Sequence, residues 1–394
     1  MGSGDDTTSA PSVGTSVATP EADASKEAAA MTPTWVRVVR WPYTFLVAFS
    51  VLVGIFTIST SASLDLPLRD PEGFLGPAYV RLPMLGVLFI AGGVLVQALV
   101  QNRSVRGLFS RAVTIVRTEW TWGRLAHAAT GLICFYVCYV CYRNLKSFLP
   151  VIREDVLYDA DLLKLDHWLF FGHYPGLLLH DLLGTGASGF VLSTVYTSYL
   201  MLVPVSLAAV LVLNRNLSLG AWYATALSLN WILGVASYYL LPTLGPVFAN
   251  PSLFYDLPAD SGVASLQEYL ADNGYEVRHD PWSSDAIYGI AGFASLHVSV
   301  VLTACLFFRR IGLNRWLMNV LWVYFACTVL ATIYFGWHYV VDDLGGAAIA
   351  WASVAIGALV TGNRGYRRRR GQLGRGDAEV GATTDDATTD DATT

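Results

Sequence analysis

Charge is what this sequence has least of. Only 14% of its 394 residues are Asp, Glu, Lys or Arg, against roughly 25% in an ordinary soluble domain. With 54% hydrophobic residues and a mean hydropathy of +0.46, the polar residues could not cover so large an apolar core in water. That excludes disordered, nucleic-acid-binding and ordinary cytosolic classes and leaves an integral membrane protein. Lysine is scarcer still, 3 residues against 22 arginines. Cysteine is sparse and odd in number, five residues, all in apolar stretches. Cys134, Cys138 and Cys141 share a helix face without a His or carboxylate at metal spacing, so they read as packing residues. Residues 1–33 lack a basic region followed by an apolar run and are rich in Ser, Thr, Ala, Gly and acid. They read as a disordered cytoplasmic tail and not as a signal peptide. The closing ATTDDATTDDATT is a low-complexity segment that can bury nothing.

What charge there is has a pattern. The formal net charge of −5 comes from the tails: residues 1–33 carry −4 and residues 371–394 carry −5, which leaves +4 on the body between them. That body contains eight apolar stretches, at about 43–61, 83–100, 125–142, 187–213, 219–241, 286–308, 316–337 and 338–360. Each is near the roughly 20 residues a helix needs to cross the hydrocarbon layer. The predicted fold class is therefore all-α, a polytopic membrane bundle of about eight transmembrane helices.

Arginines fill alternate connections: Arg37 and Arg40; Arg103, Arg106, Arg111, Arg117 and Arg124; Arg215; Arg309, Arg310 and Arg315; Arg364 and Arg367 to Arg370. The segment 242–285 instead holds seven acids against the lone base Arg278. By the positive-inside rule both termini are cytoplasmic, in a multi-pass cell-membrane protein, and segments 143–186 and 242–285 lie outside. Within 143–186, VIREDVLYDADLLKLDHWLFFG mixes apolar and acidic residues at helical spacing. It fits either an interfacial helix with Tyr158 and Trp168 at headgroup depth or a folded external loop.

Ionisable residues inside a bilayer cost on the order of 2.5–3.5 kcal/mol each, so the few present carry information. The spans hold His127, His297 and the group His338, Asp342 and Asp343. His127, at the cytoplasmic end, suits a snorkelling or capping role. His297, His338 and Asp342 come from separate stretches and arrive at the external face. A spacing of four places His338 and Asp342 on one helix face, so the carboxylate can hold one imidazole nitrogen and leave the other unprotonated. Asp343 is expected about 100° away, facing headgroups or capping. GIAGFASLHVSVV reads as a loop entering a helix with Ser295 as N-cap and free N–H groups that suit an anion beside His297. A structural polar contact would explain one His; two His with an orienting Asp at one face point to catalysis. A transporter using the three as a proton relay is the rival class. It would need members at several depths.

These residues resemble a known family. Ala294-Ser295-Leu296-His297 is similar to the second motif, P-S-G-H, of the type 2 phosphatidic acid phosphatase superfamily. His338-Tyr339-Val340-Val341-Asp342, followed by Leu344-Gly345-Gly346, resembles its third motif, S-R-x-x-x-x-x-H-x-x-x-D. The inositol phosphorylceramide synthase branch, with P-S-L-H and H-Y-x-x-D, is the closer likeness. LDHWLFFG and Pro242-Thr243-Leu244-Gly245-Pro246 also look like that branch. Ala294 stands where the motif has proline. Thr332 stands at its arginine and Ala331 at its serine, and the synthase branch lacks that arginine too. Lys146 and Arg153 have the spacing of the first motif, K-x-x-x-x-x-x-R-P, with Glu154 in place of the proline and Pro150 interrupting a continuous helix. Arg143 is a competing phosphate ligand.

The resemblance covers about 125–360. It implies a six-helix catalytic membrane domain there, preceded by two spans with a basic loop at 34–124 and followed by a basic then acidic tail at 361–394. It also implies phosphoryl transfer without metal or cofactor. His338 would be nucleophile, His297 general acid and base, and Asp342 the orienting carboxylate, with Ser295, Lys146, Arg153 and Arg143 on the phosphate. The substrate would be a phospholipid or lipid phosphate. An alcohol acceptor such as inositol would make the enzyme a phosphotransferase; water would make it a phosphatase.

Overall fold

The computed structural model describes residues 41–366, apart from 71, 74–75, 103–106, 154–155, 258–260, 283–285 and 291. Expectations for both tails, and for Arg37, Arg40, Arg103, Arg106 and Arg367 to Arg370, lie outside the described residues. The described residues are predominantly helical. The one extended pairing among them is a two-residue ladder, Glu72–Gly73 against Gly76–Pro77.

In chain order the helices are α1 Thr44–Leu64, α2 Ala78–Asn102, α3 Leu108–Glu119, α4 Trp122–Arg153, α5 Asp159–Leu169, α6 Pro175–Leu183, α7 Ala187–Leu213, α8 Leu217–Leu240, α9 Gly262–His279, α10 Leu296–Ile311, α11 Arg315–Tyr334 and α12 Val340–Val360. A helical turn, Pro246–Ala249, lies between α8 and α9. Local chemistry sets several boundaries. Asn216, Ser261, Ser295 and Asn314 each accept a first-turn N–H at α8, α9, α10 and α11. Gly312, at φ +80°, closes α10 in the left-handed conformation.

Seven helices, α1, α2, α4, α7, α8, α11 and α12, are long and apolar enough to cross a membrane. The sixth apolar stretch departs from its expected limits. Its helix begins at Leu296 and has 16 residues, because residues 286–290 and 292–295 are non-helical. That segment is apolar because it is buried inside the bundle, with Tyr288, Ile290 and Ala294 all packed in the interior.

Helix α8 is the axis of the molecule, with 83% of its apolar window buried. It packs against α4, α12, α7 and α10, and Trp222, Tyr223, Leu227 and Tyr238 fill the centre. The outer helices α1, α2 and α11 bury only 22–28% of theirs and expose Leu52, Phe56, Leu88 and Val323, the surface a lipid-facing helix presents. Cys134, Cys138 and Cys141 are buried on the inner face of α4 as free thiols, in the packing role read from their spacing.

One expectation is corrected in α4. Pro150 does not interrupt it: the helix continues to Arg153. Losing one N–H donor leaves a single carbonyl, that of Lys146, without its helical partner, and burial of Leu145, Phe148 and Leu149 on the same turns holds the helix. The acidic external segment forms α5 and α6, and Trp168 on α5 is 75% exposed, consistent with the interfacial-helix alternative. Two polar helices, α3 and α9, have no counterpart among the apolar stretches.

Candidate active site

The site forms where the starts of α10 and α12 meet. Gly346, on the first turns of α12, has no side chain to hold the helices apart: a Cβ there would lie 2.3 Å from the Ser295 carbonyl oxygen. At this contact the Ser295 N–H donates to the Asp342 carbonyl at 2.9 Å. The residues His297, His338 and Asp342 are thereby brought together. The imidazole centroids of His297 and His338 are 6.5 Å apart, and His338 Nδ1 lies 3.2 Å from Asp342 Oδ2.

The His338–Asp342 contact arises differently from the expected facing pair on a helix. Helix α12 starts at Val340, so His338 stands in the turn before it and Asp342 is the third helical residue. From there the carboxylate reaches back, accepting the Tyr339 N–H at 3.0 Å as in a capping box and meeting His338 on the same oxygen. Nδ1 donates to the carboxylate, and Nε2 has no hydrogen-bond partner among the described residues. His297 is clasped between Tyr196 and Tyr199, each ring centroid 4.2 Å away.

Asp343 is a further correction. It is buried and accepts a hydrogen bond from Thr332 Oγ1 at 2.9 Å; it does not face headgroups. On that turn it is Leu344, 65% exposed, that faces outward, while Asp343 turns inward to Thr332. Ser295 is the N-cap, accepting from Val298, but its own N–H is spent on Asp342. The uncommitted first-turn N–H groups among the described residues are those of Leu296 and His297.

The three basic residues lie along one face of α4. Lys146 and Arg153 are two turns, about 10 Å, apart on a continuous helix. Lys146 is buried and donates to the Gly289 carbonyl at 2.7 Å, which ties it to the loop leading into His297. The Nε atoms of Arg143 and Arg153 are buried without a partner among the described residues.

Two carboxylates on α5 were not singled out from the sequence. Asp159 accepts the N–H groups of Leu244 and Gly245 at 3.0 Å and the Tyr339 hydroxyl at 2.9 Å. Asp166 accepts the Val340 N–H at 3.2 Å. They are seven residues apart, on one face of α5, and that spacing was the available signal. Together they fasten the Pro242–Pro246 segment and the start of α12 around His338. Burial pushes both carboxyls up. For Asp166 the neighbouring Asp342 adds to burial, the Val340 N–H opposes it, and the pKa reaches about 6.

Because this folded value lies above the unfolded one, near 3.9, the folded state holds a proton that the unfolded chain releases. The associated stability is present below pH ~4 and lost as pH rises through ~6, on the order of 2–3 kcal/mol. Asp166→Asn keeps an acceptor for Val340 and cannot ionise. Thermal unfolding of wild type and variant from pH 4.5 to 8 is expected to diverge, with wild type losing ground as pH rises. A gap independent of pH would contradict this assignment.

Fold and site define a multi-pass helical membrane protein with a histidine pair and an orienting carboxylate at one end of its bundle. A sequence model of the PAP2 superfamily matches residues 160–356, half of the chain. The chain belongs to the PAP2 superfamily, which supports a phosphatase-type enzyme acting on a lipid phosphate. Comparison with curated proteins and with solved structures gives no match.

Proposed function

We propose that this protein is a lipid phosphotransferase of the inositol phosphorylceramide synthase-like branch, moving a phosphoryl-containing headgroup to an alcohol such as inositol. The observation that carries this reading is at Thr332. Where the third motif of the superfamily has arginine, this chain places a neutral hydroxyl, and that hydroxyl is bonded to the Asp343 carboxylate. A phosphate monoester brings close to two negative charges and a phosphodiester one. A site with one cation fewer and an added carboxylate suits the phosphodiester, the form of a headgroup donor.

In the proposed reaction His338 Nε2 attacks phosphorus, forming an N–P bond as the bond from phosphorus to the lipid alkoxide breaks. Asp342 holds the proton on Nδ1 and stabilises the imidazolium. His297 gives its proton to the departing oxygen, then takes one from the acceptor hydroxyl as that oxygen displaces the histidine. Lys146, which has two ammonium hydrogens beyond the one given to Gly289, offsets the phosphate charge with Arg143, Arg153 and the N–H groups at the start of α10. No metal or cofactor enters the scheme. The charge pattern of the connections supports a cell membrane location with both termini cytoplasmic and this site outside. The motif residues support residues 125–360 as the catalytic domain.

The test is donor and acceptor choice by the purified protein. A labelled phosphodiester phospholipid with added inositol is expected to yield labelled inositol-linked product, and phosphatidic acid to react poorly. Free phosphate released at a rate indifferent to inositol would make the protein a hydrolase.

A further inference from the structure

A second polar recess lies at the opposite end of the bundle. From Leu217 at the start of α8 to Ser237 beside the catalytic loop is 20 residues of helix, or about 30 Å. This recess therefore belongs to the other membrane face, the one where arginine is concentrated. Its volume is about 410 Å³, inside the range of roughly 300–1,000 Å³ typical of small-molecule sites.

The starts of α4 and α8 both open onto it, through Gly123 and Leu217. At α4 the Arg124 N–H is taken by Thr121 Oγ1 and the Leu125 N–H by the Thr121 carbonyl. Those of Trp122 and Gly123 have no partner among the described residues. Two helix N-termini thus present positive dipole ends to one space.

Side chains add to that field. Arg124 lies with its guanidinium 4.1 Å over the Trp120 ring and donates to the Val212 carbonyl at 2.7 Å, while its Nε is buried without a partner. Arg215 is 72% exposed and reaches across to Glu119 at 2.9 Å. Glu119, the one acid in the wall, has both oxygens engaged, by Arg215 and by Gln97. His127 accepts from Trp41 and donates to the Gly123 carbonyl, so it forms a fixed wall. The two arginines outweigh the one acid, and the helix ends add to the excess.

We propose that this recess binds the phosphate of an anionic phospholipid headgroup, as a site separate from the catalytic one. Position favours a lipid over a soluble anion. The recess sits where α4, α7 and α8 end, and Trp122 and Leu213, 88% and 52% exposed, flank it at the level of a membrane interface. A headgroup entering there would have its acyl chains alongside apolar helix surface.

The test uses the full chain purified in detergent, with thermal unfolding followed after adding phosphatidylglycerol, phosphatidylcholine, inorganic phosphate or glycerol 3-phosphate. Phosphatidylglycerol at ten times its dissociation constant is expected to raise the midpoint by about 2 °C over phosphatidylcholine. Arg215→Gln, a change at an exposed side chain, should at least halve that increment, and Arg124→Gln should do the same. Phosphatidylglycerol bound at the catalytic site contributes equally to all three proteins and cancels in the comparison. Equal increments in wild type and either variant that folds would overturn the site. The same increment from inorganic phosphate or glycerol 3-phosphate would overturn the lipid as its occupant.

Discussion

His338→Ala is expected to abolish covalent phosphate on the protein and to lower turnover on the order of 10⁴-fold or more, the usual penalty for removing a nucleophile or its partner. The expectation rests on one asymmetry. Nδ1 of His338 is held by Asp342 and Nε2 has no hydrogen-bond partner among the described residues, so this imidazole has a fixed tautomer and a free lone pair. Among the described residues His297 has no carboxylate partner and is gripped instead by two tyrosine rings, which suits a group that passes protons. The two roles separate experimentally with an activated donor whose leaving group needs no proton. His297→Ala should then still be labelled and should accumulate the label, because the second step lacks its base. The quench must be alkaline, since an N–P bond is lost in acid. His338→Gln, which retains a polar side chain in this buried position, guards against loss of fold. Label remaining on either His338 variant would move the nucleophile elsewhere.

Gly346→Ala should be the next most damaging change, although glycine has no side chain to touch substrate. The added Cβ would lie 2.3 Å from the Ser295 carbonyl oxygen, and relieving that requires α10 and α12 to part by about 1 Å. Displacement of that size costs roughly 10²-fold in rate where reacting groups must be aligned, and strain from overpacking costs about 1–3 kcal/mol in stability. Gly131→Ala is the control. Its Cβ would press on a Leu211 side-chain methyl at 2.8 Å, on α4 and away from the histidines. It should lower the unfolding midpoint by a similar amount and leave activity per folded molecule intact. If both variants lose activity only in proportion to folded protein, the close approach at Gly346 serves packing and not the site.

Most of the bundle was legible because spanning a membrane demands long apolar runs, and few other constraints produce them. The reactive trio was legible for the complementary reason: ionisable groups are so costly in such runs that His297, His338 and Asp342 stood out singly. What stayed hidden follows the same physics. The loop before α10 is buried in protein and as apolar as a span, so composition counted it within one, and only the local pattern of GIAGFASLH, with Ser295 as N-cap, marked the helix start. Asp159 and Asp166 lie outside the spans among many acids, where a carboxylate is cheap and carries no signal except its spacing. Asp343 and the His338–Asp342 contact were both read as if α12 included His338; a start two residues later, about half a turn, changes which way each side chain faces. At Pro150, packing overrode a local preference that sequence alone suggests should prevail.

The dependence of the reactive centre on α12 has a consequence for biogenesis. His338, Asp342, Asp343 and the glycines that admit α10 all lie on or just before the last helix, and their carboxylate anchors come from α5, translated well before. A nascent chain with every preceding span inserted would hold only His297, with neither His338, the proposed nucleophile, nor Asp342, its hydrogen-bond partner. Competence would therefore arrive in one step, when the final hairpin leaves the translocon and docks. Until then the half-built protein lacks the pair on which the proposed chemistry rests.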